Sequence, residues 1–329
     1  CISMKRSMFV LRHAAFFRRG CFVAPIFKAD DSFDRSLFKG ASCAFGVFDG
    51  VHCGHRFLLS CAQQTAAENG GKSIALTFEI DHDEMFNADR LRKLMSNDER
   101  LEMLAQTGVD AVVALPFTKD FAASSPEEFL DRTFGGHVPA HLHVGSDFRF
   151  GAKAAGTVPD LKAWANSHGM VVDAHDLKSE DGAPITATRI RKLLAAGEIV
   201  KANHLLGRPY FMTGIVKPGR GEGADMGIRT ANLVVGDQLR PLGDGVYAAY
   251  ADVEGKRYKA AVNVGIAASF ADRAIATCEV HILDFDGDIY GQYMKVEFIE
   301  WLRPMRKFDD IQELIATIQG NIDWVRKNL

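Results

Sequence analysis

Two histidines three residues apart are the first candidates for chemistry, in the stretch GVFDGVHCGH at residues 46–55. His52 and His55 follow an apolar run and a Phe-Asp-Gly turn, and a helix-like segment, HRFLLSCAQQ, begins at the second histidine. Both imidazoles should therefore lie near a helix N-terminus, where free backbone N–H groups and the helix dipole attract phosphate. Donors placed there can follow charge as it develops on a phosphoryl group. The alternatives are a metal pair without its other ligands and two incidental surface histidines.

A second candidate site is glycine-rich and lies in the other half of the chain. The stretch GIVKPGRGEGADMGIRTANL at residues 214–233 contains Gly219 and Gly221. Successive backbone N–H groups in such turns can close around phosphates. Because bends in β-barrels also use glycine, the glycines alone favour a flexible hairpin over a binding loop.

The elements that must position the histidine pair alternate between strands and helices. From Ser42 to about Leu206, short apolar runs that predict buried strands are separated by segments with helical character, several of which end on glycine. The predicted strands are SCAFGVF, KSIALTF, DAVVALPF, HLHVGSDF and GMVVDAHDL, and the predicted helices are HRFLLSCAQQTAAENG, SNDERLEMLAQTG, SPEEFLDRTFGG and VPDLKAWANSHG. This alternation predicts a doubly wound α/β domain with a parallel sheet that binds ligands at the carboxyl ends of its strands.

After Gly207 the pattern changes to strands punctuated by glycine turns. The predicted strands lie in YFMTGIVKPG, TANLVVG, GVYAAYADVEGKRYKAAVNVG and ATCEVHILDFDGDIYGQYMKVEFIEWL. Residues 253–256 and 285–288 are expected to form hairpin turns. A final helix with an apolar stripe is expected at about residues 309–328. The second half should therefore be a small closed all-β barrel with a C-terminal helix packed on it.

Length and composition limit the possible classes of protein. With 329 residues the chain can form about two domains, and its formal net charge of -3 gives no reason to expect nucleic acid or an anionic membrane as a partner. No apolar run approaches the ~18 residues that a membrane-spanning helix needs. The six cysteines form no CxxC pair, which favours a reduced, cytoplasmic protein without structural zinc or disulfides. Self-association stays open.

The first 28 residues differ from the rest of the chain. No acidic residue precedes Asp30, and the basic residues of this segment are Lys5, Arg6, Arg12, Arg18, Arg19 and Lys28. Such a start can be an organellar transit peptide, or an upstream extension with Met4 or Met8 as the true first residue. We assign residues 1–28 to a basic N-terminal extension outside the fold.

The histidine stretch belongs to a series of motifs that resembles a known family. GVFDGVHCGH resembles the HxGH signature of nucleotidylyltransferases, and specifically the FMN adenylyltransferase module of bacterial bifunctional riboflavin kinase/FMN adenylyltransferases (FAD synthetases). VGSDFRFG at 144–151, ITATRIRKLL at 185–194 and LLGRPY at 205–210 follow in the family's order, the second resembling its SSTxIR element. The resemblance implies a nucleotidylyltransferase domain, to which we assign residues 29–206.

By this resemblance, His52 and His55 stabilise the α-phosphate of ATP while the phosphate of FMN attacks it. Thr188 and Arg191 hold the β- and γ-phosphates that leave as pyrophosphate, a task that suits the planar fork of an arginine. The remaining nucleotide-binding residues that we infer are Gly46, Phe48, Asp49, Gly54 and Asp147. The attacking phosphate is already anionic, so charge neutralisation and positioning, helped by Mg²⁺, carry the reaction without a general base.

The second half resembles riboflavin kinases from about residue 210 to the end, and we assign residues 207–329 to this domain. TANL resembles the family's PTAN motif, so Thr230 and Asn232 are implied to hold Mg²⁺ and ATP, with Asn232 in both roles. CEVHILDF at 278–285 resembles the catalytic strand, which implies that Glu279 activates the ribityl 5′-hydroxyl of riboflavin. A neutral alcohol needs such a base. Without the resemblance, Glu279 would be a solvated residue on the outer face of a strand.

Several positions depart from the family's pattern. The TFxPHP segment reads TFEIDHD at 77–83, and the two serines of SSTxIR are Thr186 and Ala187. In the barrel half the arginine of the GRxLG loop is Ala224, the proline of PTAN is Arg229, and NxGxRPTF reads NVGIAASF at 263–270. We expect Arg229 to supply the missing cation near the ATP phosphates, and the backbone N–H groups of the loop glycines Gly219 and Gly221 to bind the phosphates. Exchanging Arg229→Pro should then lower kinase activity, and a rise would contradict the idea.

The motifs together predict a bifunctional transferase that phosphorylates riboflavin to FMN and adenylates FMN to FAD, using ATP and Mg²⁺. Its partners are then small molecules: riboflavin, FMN and ATP. One alternative is an adenylyltransferase whose barrel only binds flavin, and another is a non-catalytic flavin sensor. A cytoplasmic location is expected, with organellar targeting by the basic start left open.

Overall fold

The computed structural model of the chain describes residues 23–80, 85, 93–218, 229–236, 239, 242–266, 276–306, 308 and 310–329. Within them, a parallel α/β sheet occupies the first half and a closed antiparallel barrel the second. Both fold classes predicted from the sequence are confirmed. No helix in these ranges is long and apolar enough to cross a membrane.

The sheet of the first half contains six parallel strands in the order β1-β4-β3-β2-β5-β6. Its strands are β1 (Ile26–Lys28), β2 (Ser42–Phe45), β3 (Ser73–Phe78), β4 (Ala111–Leu115), β5 (His141–Gly145) and β6 (Val171–His175). Every residue of β2, β3 and β4 is buried, as expected for strands covered on both faces. The five strands predicted from apolar runs are β2 to β6.

Helices cover both faces of this sheet, as the doubly wound pattern requires. They are α1 (Cys53–Asn69), α2 (Asn97–Ala105), α3 (Lys119–Ala122), α4 (Pro126–Phe134) and α5 (Val158–Ser167). One apolar cluster joins α1 and α2 to one face, and a second joins α4 and α5 to the other. Ser96, Ser125 and Thr157 start α2, α4 and α5 with capping boxes, which explains why these helices begin there.

The sheet begins earlier than the sequence suggested. Ile26–Lys28 forms edge strand β1 and pairs in parallel with β4, with Ile26 opposite Val112. These residues lie inside the segment that we assigned to a basic extension. The strand has only three residues, and two of them are exposed, so it lacks the apolar run that marks the buried strands.

The barrel of the second half closes in the order β10-β13-β12-β11-β14-β9. Its strands are β9 (Tyr210–Lys217), β10 (Ala231–Val234), β11 (Gly245–Val253), β12 (Lys256–Ile266), β13 (Ala276–Ile282) and β14 (Tyr293–Arg303), and a small ribbon of β7 (Ser179–Glu180) and β8 (Ala183–Pro184) precedes them. Glu254 and Gly255, between β11 and β12, both have positive φ, as the favoured two-residue hairpin turn requires. This hairpin is confirmed.

The second predicted hairpin, at residues 285–288, is wrong. Strand β13 pairs with β10 and β12, whereas β14 pairs with β11 and β9, so the two strands joined by this segment are not neighbours. The Phe-Asp-Gly-Asp sequence has the composition of a tight turn, but it lies in a connection that crosses one end of the barrel. Barrel closure decides strand pairing here, and local turn chemistry does not reveal it.

Among the described residues, three helices pack on the barrel. Helices α6 (Ala187–Ala195) and α7 (Ile199–Leu206) share one apolar cluster with the barrel interior, through side chains such as Ile190, Leu194 and Leu206. The C-terminal α8 (Ile311–Asn328) buries Ile322 and Val325 against the outside of β11 and β12, which confirms the predicted final helix. The pair α6–α7 therefore belongs, by its packing, to the barrel rather than to the α/β sheet.

Candidate active sites

The histidine pair lies between the end of β2 and the first turn of α1, at the carboxyl ends of the sheet strands. His52 is the N-cap of α1, and its Nδ1 accepts a hydrogen bond of 3.3 Å from the backbone N–H of His55. The two rings stack with their centroids 3.5 Å apart and 18° between their planes. The pair is thus held rigidly against the helix N-terminus, as its spacing predicts.

The surroundings keep both imidazoles neutral. Burial, followed by the charge of Arg191, lowers the pKa of His52 to about 4. Burial, followed by the charges of His52 and Arg100, holds the pKa of His55 well below its ordinary value. Because Nδ1 of His52 accepts a hydrogen bond, its proton must be on Nε2. Near neutral pH the pair offers N–H donors without positive charge, so a cation at this site has to come from elsewhere.

Arg191 supplies that cation. It projects from α6, and its guanidinium donates a hydrogen bond of 2.5 Å to the carboxylate of Asp49. The side chains of Arg191 and Asp49 are only 16% and 6% exposed, and the carboxylate also accepts from the backbone N–H of Leu94. Nε of Arg191 is buried and has no hydrogen-bond partner within the described parts of the chain. Asp49, which we predicted to bind nucleotide, thus fixes the arginine next to the histidines.

A buried arginine that the sequence motifs did not single out organises the same edge of the sheet. Arg100, on α2, donates to the carbonyl of Val47 at 3.0 Å, to Oγ1 of Thr77 at 2.7 Å and to the carbonyl of Phe78 at 2.7 Å. It thereby joins the carboxyl ends of β2 and β3 under the histidine turn. The signal available in the sequence was a charged residue at a position of α2 that faces the core, beside Leu101 and Leu104.

Other residues predicted for this site take different places. The Phe48 side chain is 1% exposed and packs edge-on against His55, so only its backbone can face a ligand. A Cβ on Gly54 would lie 3.2 Å from the ring of His52 and 3.3 Å from the carbonyl of Ile185, so this glycine makes room for the protein itself. A Cβ on Gly46 would press on the Phe48 ring.

Two polar residues of the predicted set are open to solvent. Thr188 is exposed in the first turn of α6, whose N-cap is Thr186. Asp147 is exposed just beyond the carboxyl end of β5, the strand that pairs with β2. Both are therefore available to a ligand bound at the sheet edge.

The barrel presents a row of three polar side chains across neighbouring strands. Glu279 of β13 lies directly opposite Asn232 of β10 on one side and opposite Asn263 of β12 on the other. Their neighbours Leu233, Val264 and Cys278 are buried inside the barrel, so the polar row faces outward. Glu279 and Asn232, predicted from separate motifs, are thus brought together.

Asn263, the third member of this row, is the first residue of the NVGIAASF segment, which differs from the family's motif. Its Nδ2 donates to Oε2 of Glu279 at 3.5 Å, while its Oδ1 is buried without a partner in the described part of the structure. An unpaired buried carbonyl oxygen next to a carboxylate suits a cation or a hydroxyl donor. Thr230 lies immediately before β10, two residues from Asn232. The oxygen-rich set Thr230, Asn232, Asn263 and Glu279 therefore fits a hard ion such as Mg²⁺.

The residues around this row are only partly described. Arg229 pairs with Asp286 at 2.8 Å, and its carbonyl lies 2.8 Å from Nδ1 of His281. The Arg229 and Asp286 side chains are 79% and 91% exposed, so this ion pair holds the arginine weakly. Gly219, Gly221 and Ala224 of the glycine-rich loop, and residues 267–270 of the NVGIAASF segment, lie outside the described residues.

Comparison with known proteins identifies the family of each half of the chain. The family model for FAD synthetase matches residues 34–189, and the one for riboflavin kinase matches residues 206–329. Bifunctional riboflavin kinase/FMN adenylyltransferases from Listeria monocytogenes and Pseudomonas fluorescens are each 32% identical to the chain, over 84% and 89% of its length and 88% and 94% of theirs. The enzyme of that name from Escherichia coli K12 is 32% identical over 85% of the chain and 90% of its own length.

The chain belongs to this bifunctional family.

A solved structure agrees with the assignment of the fold. A crystal structure from Streptococcus pneumoniae, described as a macrolide-efflux protein, superposes with a TM-score of 0.77 and 29% sequence identity. It covers 88% of this chain, and the match spans 95% of that one. The two halves of the bifunctional family member are therefore found in the same order in a second protein.

The two family matches leave residues 190–205 between them. This gap contains Arg191 and most of the helix pair α6–α7, which packs on the barrel while Arg191 reaches Asp49 in the α/β half. Arg208 adds a second connection, since it donates to the carbonyl of Gly50 at 3.0 Å. A helix that packs on the second half therefore contributes Arg191 to the candidate site of the first half.

Proposed function

We propose that the chain phosphorylates riboflavin to FMN at the barrel row and adenylates FMN to FAD at the histidine turn, with ATP as the donor in both steps. The observation that carries the proposal is that each half holds the group that its own nucleophile requires. The α/β half has neutral donors and a fixed cation for an anionic nucleophile. The barrel half has a carboxylate between two amides for a neutral alcohol.

In adenylyl transfer, a phosphate oxygen of FMN attacks the α-phosphorus of ATP, and the bond to the β-phosphate breaks to release pyrophosphate. His52 donates its Nε2 proton in a hydrogen bond to the α-phosphoryl oxygens, with His55 stacked beside it. Arg191 binds the departing β- and γ-phosphates together with Thr188. Fixed donors of this kind stabilise the transition state because they need no rearrangement as charge moves to the leaving group.

In phosphoryl transfer, Glu279 accepts the proton of the ribityl 5′-hydroxyl while that oxygen attacks the γ-phosphorus of ATP and ADP leaves. Asn263 donates to the carboxylate and orients it. Asn232, on the opposite strand, lies beside the same carboxylate and contacts the nucleotide. General-base catalysis by such a group contributes about 10²- to 10⁴-fold to rate.

Mg²⁺ belongs to this proposal through the oxygen donors of the barrel row. Thr230 and Asn232 would hold the ion, and Oδ1 of Asn263, which is buried and has no hydrogen-bond partner among the described residues, is a further oxygen that fits a cation or a hydrogen-bond donor. When bound, the ion neutralises charge on the ATP phosphates. Arg229 adds a positive charge at the same end of the barrel, because its exposed pair with Asp286 leaves it free to turn toward phosphate.

A chromatographic product assay tests both halves at once. The purified chain is incubated with ATP and Mg²⁺, once with riboflavin and once with FMN. FAD from both substrates supports two working sites. FAD from FMN alone would favour an adenylyltransferase whose barrel only binds flavin. No FAD from either, with retained flavin binding, would favour a sensor.

A matched pair of variants assigns the activities to their sites. Glu279→Gln should stop the riboflavin reaction and leave the FMN reaction intact, whereas Glu127→Gln, at an exposed position on α4, should change neither.

The cytoplasmic location stays a prediction from the cysteine pattern, and cell fractionation tests it.

A further inference from the structure

Three histidines and an aspartate cluster on the face of the sheet that α1 covers, and none of the four is among the residues assigned to either reaction. His141 and His143 lie on β5, and Asp173 and His175 lie on the neighbouring edge strand β6. Residues two apart on a strand share a face, and His143 is the direct register partner of Asp173. The two strands therefore place all four side chains together.

The distances within this cluster suit a small ion. Nδ1 of His141 lies 3.0 Å and Nε2 of His143 lies 3.8 Å from Oδ2 of Asp173, and the three potential ligand atoms lie within 4.8 Å of one another. Ligand atoms of a tetrahedral zinc site, with bonds of about 2.0–2.2 Å, are roughly 3.3–3.6 Å apart. Small movements of these side chains would bring all three atoms to bonding distance of a common centre.

A second observation concerns the orientation of His143. Its side chain is 3% exposed, and its Nδ1 lies 2.9 Å from Nε2 of His175. In the tautomer that carries the proton on Nδ1, His143 donates to His175 and keeps the Nε2 lone pair on the side of Asp173. Histidines that bind metals are usually fixed in this way, by a hydrogen bond from the other ring nitrogen. Oγ of Ser42, 3.0 Å from Nε2, can donate to the lone pair until an ion takes its place.

The exposure of this cluster and the types of its ligand atoms indicate which ion it can bind. The side chains of His141 and Asp173 are 25% and 37% exposed, and β6 ends the sheet, so an ion can enter from solvent and keep water in a remaining position. Two imidazole nitrogens with one carboxylate oxygen favour zinc and its neighbours in the transition series over Mg²⁺, which prefers oxygen ligands only.

We propose that His141, His143 and Asp173 form a binding site for a divalent transition-metal ion such as Zn²⁺, with His175 as the positioning residue of His143. The competing explanation is a hydrogen-bonded network that only joins β5 to β6. Under that explanation the four side chains stabilise the sheet edge and show no affinity for an ion.

Calorimetric titration of the full, metal-free chain with ZnCl₂ distinguishes the two explanations. We expect one zinc ion per chain, with affinity reduced at least tenfold in His141→Gln and in Asp173→Asn. His175→Gln should weaken binding by about 10- to 100-fold, the usual effect of losing a partner that orients a ligand. The matched control is His137→Gln, which removes an exposed histidine next to α4 and should leave the affinity unchanged.

A second control separates this site from the histidine pair of the first half. His52→Asn should leave zinc affinity unchanged, because His52 and His55 lie outside the cluster. Absence of zinc binding in the wild-type chain, or binding that survives both His141→Gln and Asp173→Asn, would overturn the proposal. Loss of binding in His52→Asn alone would assign the ion to the turn at α1 and overturn it equally. His141 is partly exposed, so its variant decides the matter if Asp173→Asn does not fold.

Discussion

The two candidate sites of this chain differ in the charged groups that they present. In the α/β half, burial keeps His52 and His55 neutral and one carboxylate, Asp49, is used to fix a cation. In the barrel half, the carboxylate of Glu279 faces outward between two amides. An anionic nucleophile is repelled by negative charge and needs donors, whereas an alcohol needs a group that accepts its proton. Under the proposed function, the protonation state of the attacking group therefore explains why the two candidate sites differ.

The largest effect should follow from removing Glu279, the proposed base. Glu279→Gln keeps the size of the side chain but cannot accept the hydroxyl proton, so FMN formation from riboflavin should fall by about 10²- to 10⁴-fold. FAD formation from FMN should be unchanged, measured by chromatography on the same preparation. An equal fall in both reactions would mean that the two sites are not chemically separate.

Removing one donor in the other half should give the next largest effect. His52→Asn keeps an oxygen that can cap α1 but loses the Nε2 donor, so FAD formation from FMN should fall by about 10²- to 10³-fold. Riboflavin phosphorylation serves as the internal control and should persist. A variant as active as the parent would show that the stacked pair only builds the turn.

The stability of the folded chain should depend on pH through His52. In the folded chain, burial and the charge of Arg191 lower the pKa of His52 to about 4. His55, Arg100 and Asp49 are further titratable or charged groups near it. In the unfolded chain the pKa has its ordinary value near 6.5. Below pH 6.5 the unfolded state takes up a proton that the folded state refuses, so stability falls as the pH drops toward 4. This histidine should contribute about 2 kcal/mol of the loss between pH 7 and pH 5.

Urea unfolding at the two pH values, for the parent and for His52→Asn, measures this contribution. The variant should lose less stability over the interval than the parent does. Identical losses would mean that the imidazole takes up its proton at the same pH in the folded and the unfolded chain, so that burial does not lower its pKa.

The smallest effect is expected at Asn263. Asn263→Ala removes the hydrogen bond to Glu279, which is long at 3.5 Å, so riboflavin phosphorylation should fall by a factor of about 5, equivalent to roughly 1 kcal/mol. Asn69→Ala, at the exposed end of α1, is the control. A loss as large as that in Glu279→Gln would make Asn263 part of the proton transfer itself.

Much of this arrangement could be predicted from the sequence, and each wrong or missing prediction has a physical cause. Strands β2 to β6 were evident because strands buried on both faces must be continuously apolar. The place of the histidine pair followed from a strand, a turn and a helix in succession. Edge strand β1 was missed because an edge needs little burial, and the turn at residues 285–288 was misassigned because barrel closure is a non-local property.

Contacts between distant residues formed the other gap. Asp49 and Arg191 are 142 positions apart, and no local pattern indicates that one fixes the other. Arg100 looked like an ordinary charge on a helix, because the carbonyl groups that it satisfies belong to two other strands. The sequence identified the residue types of each site better than it identified how those residues hold one another.

The helix pair α6–α7 has a consequence for how this enzyme can be divided. Its apolar face packs into the barrel core, and its Arg191 binds Asp49 at the candidate adenylylation site. A cut after residue 189, where the first family match ends, would release an α/β fragment without that arginine. A cut after residue 206 would strip the barrel of the side chains that close its interior. The two activities are therefore not interchangeable modules joined by a linker: they share one structural part, and a fusion, truncation or transplant of either half must decide which one keeps it.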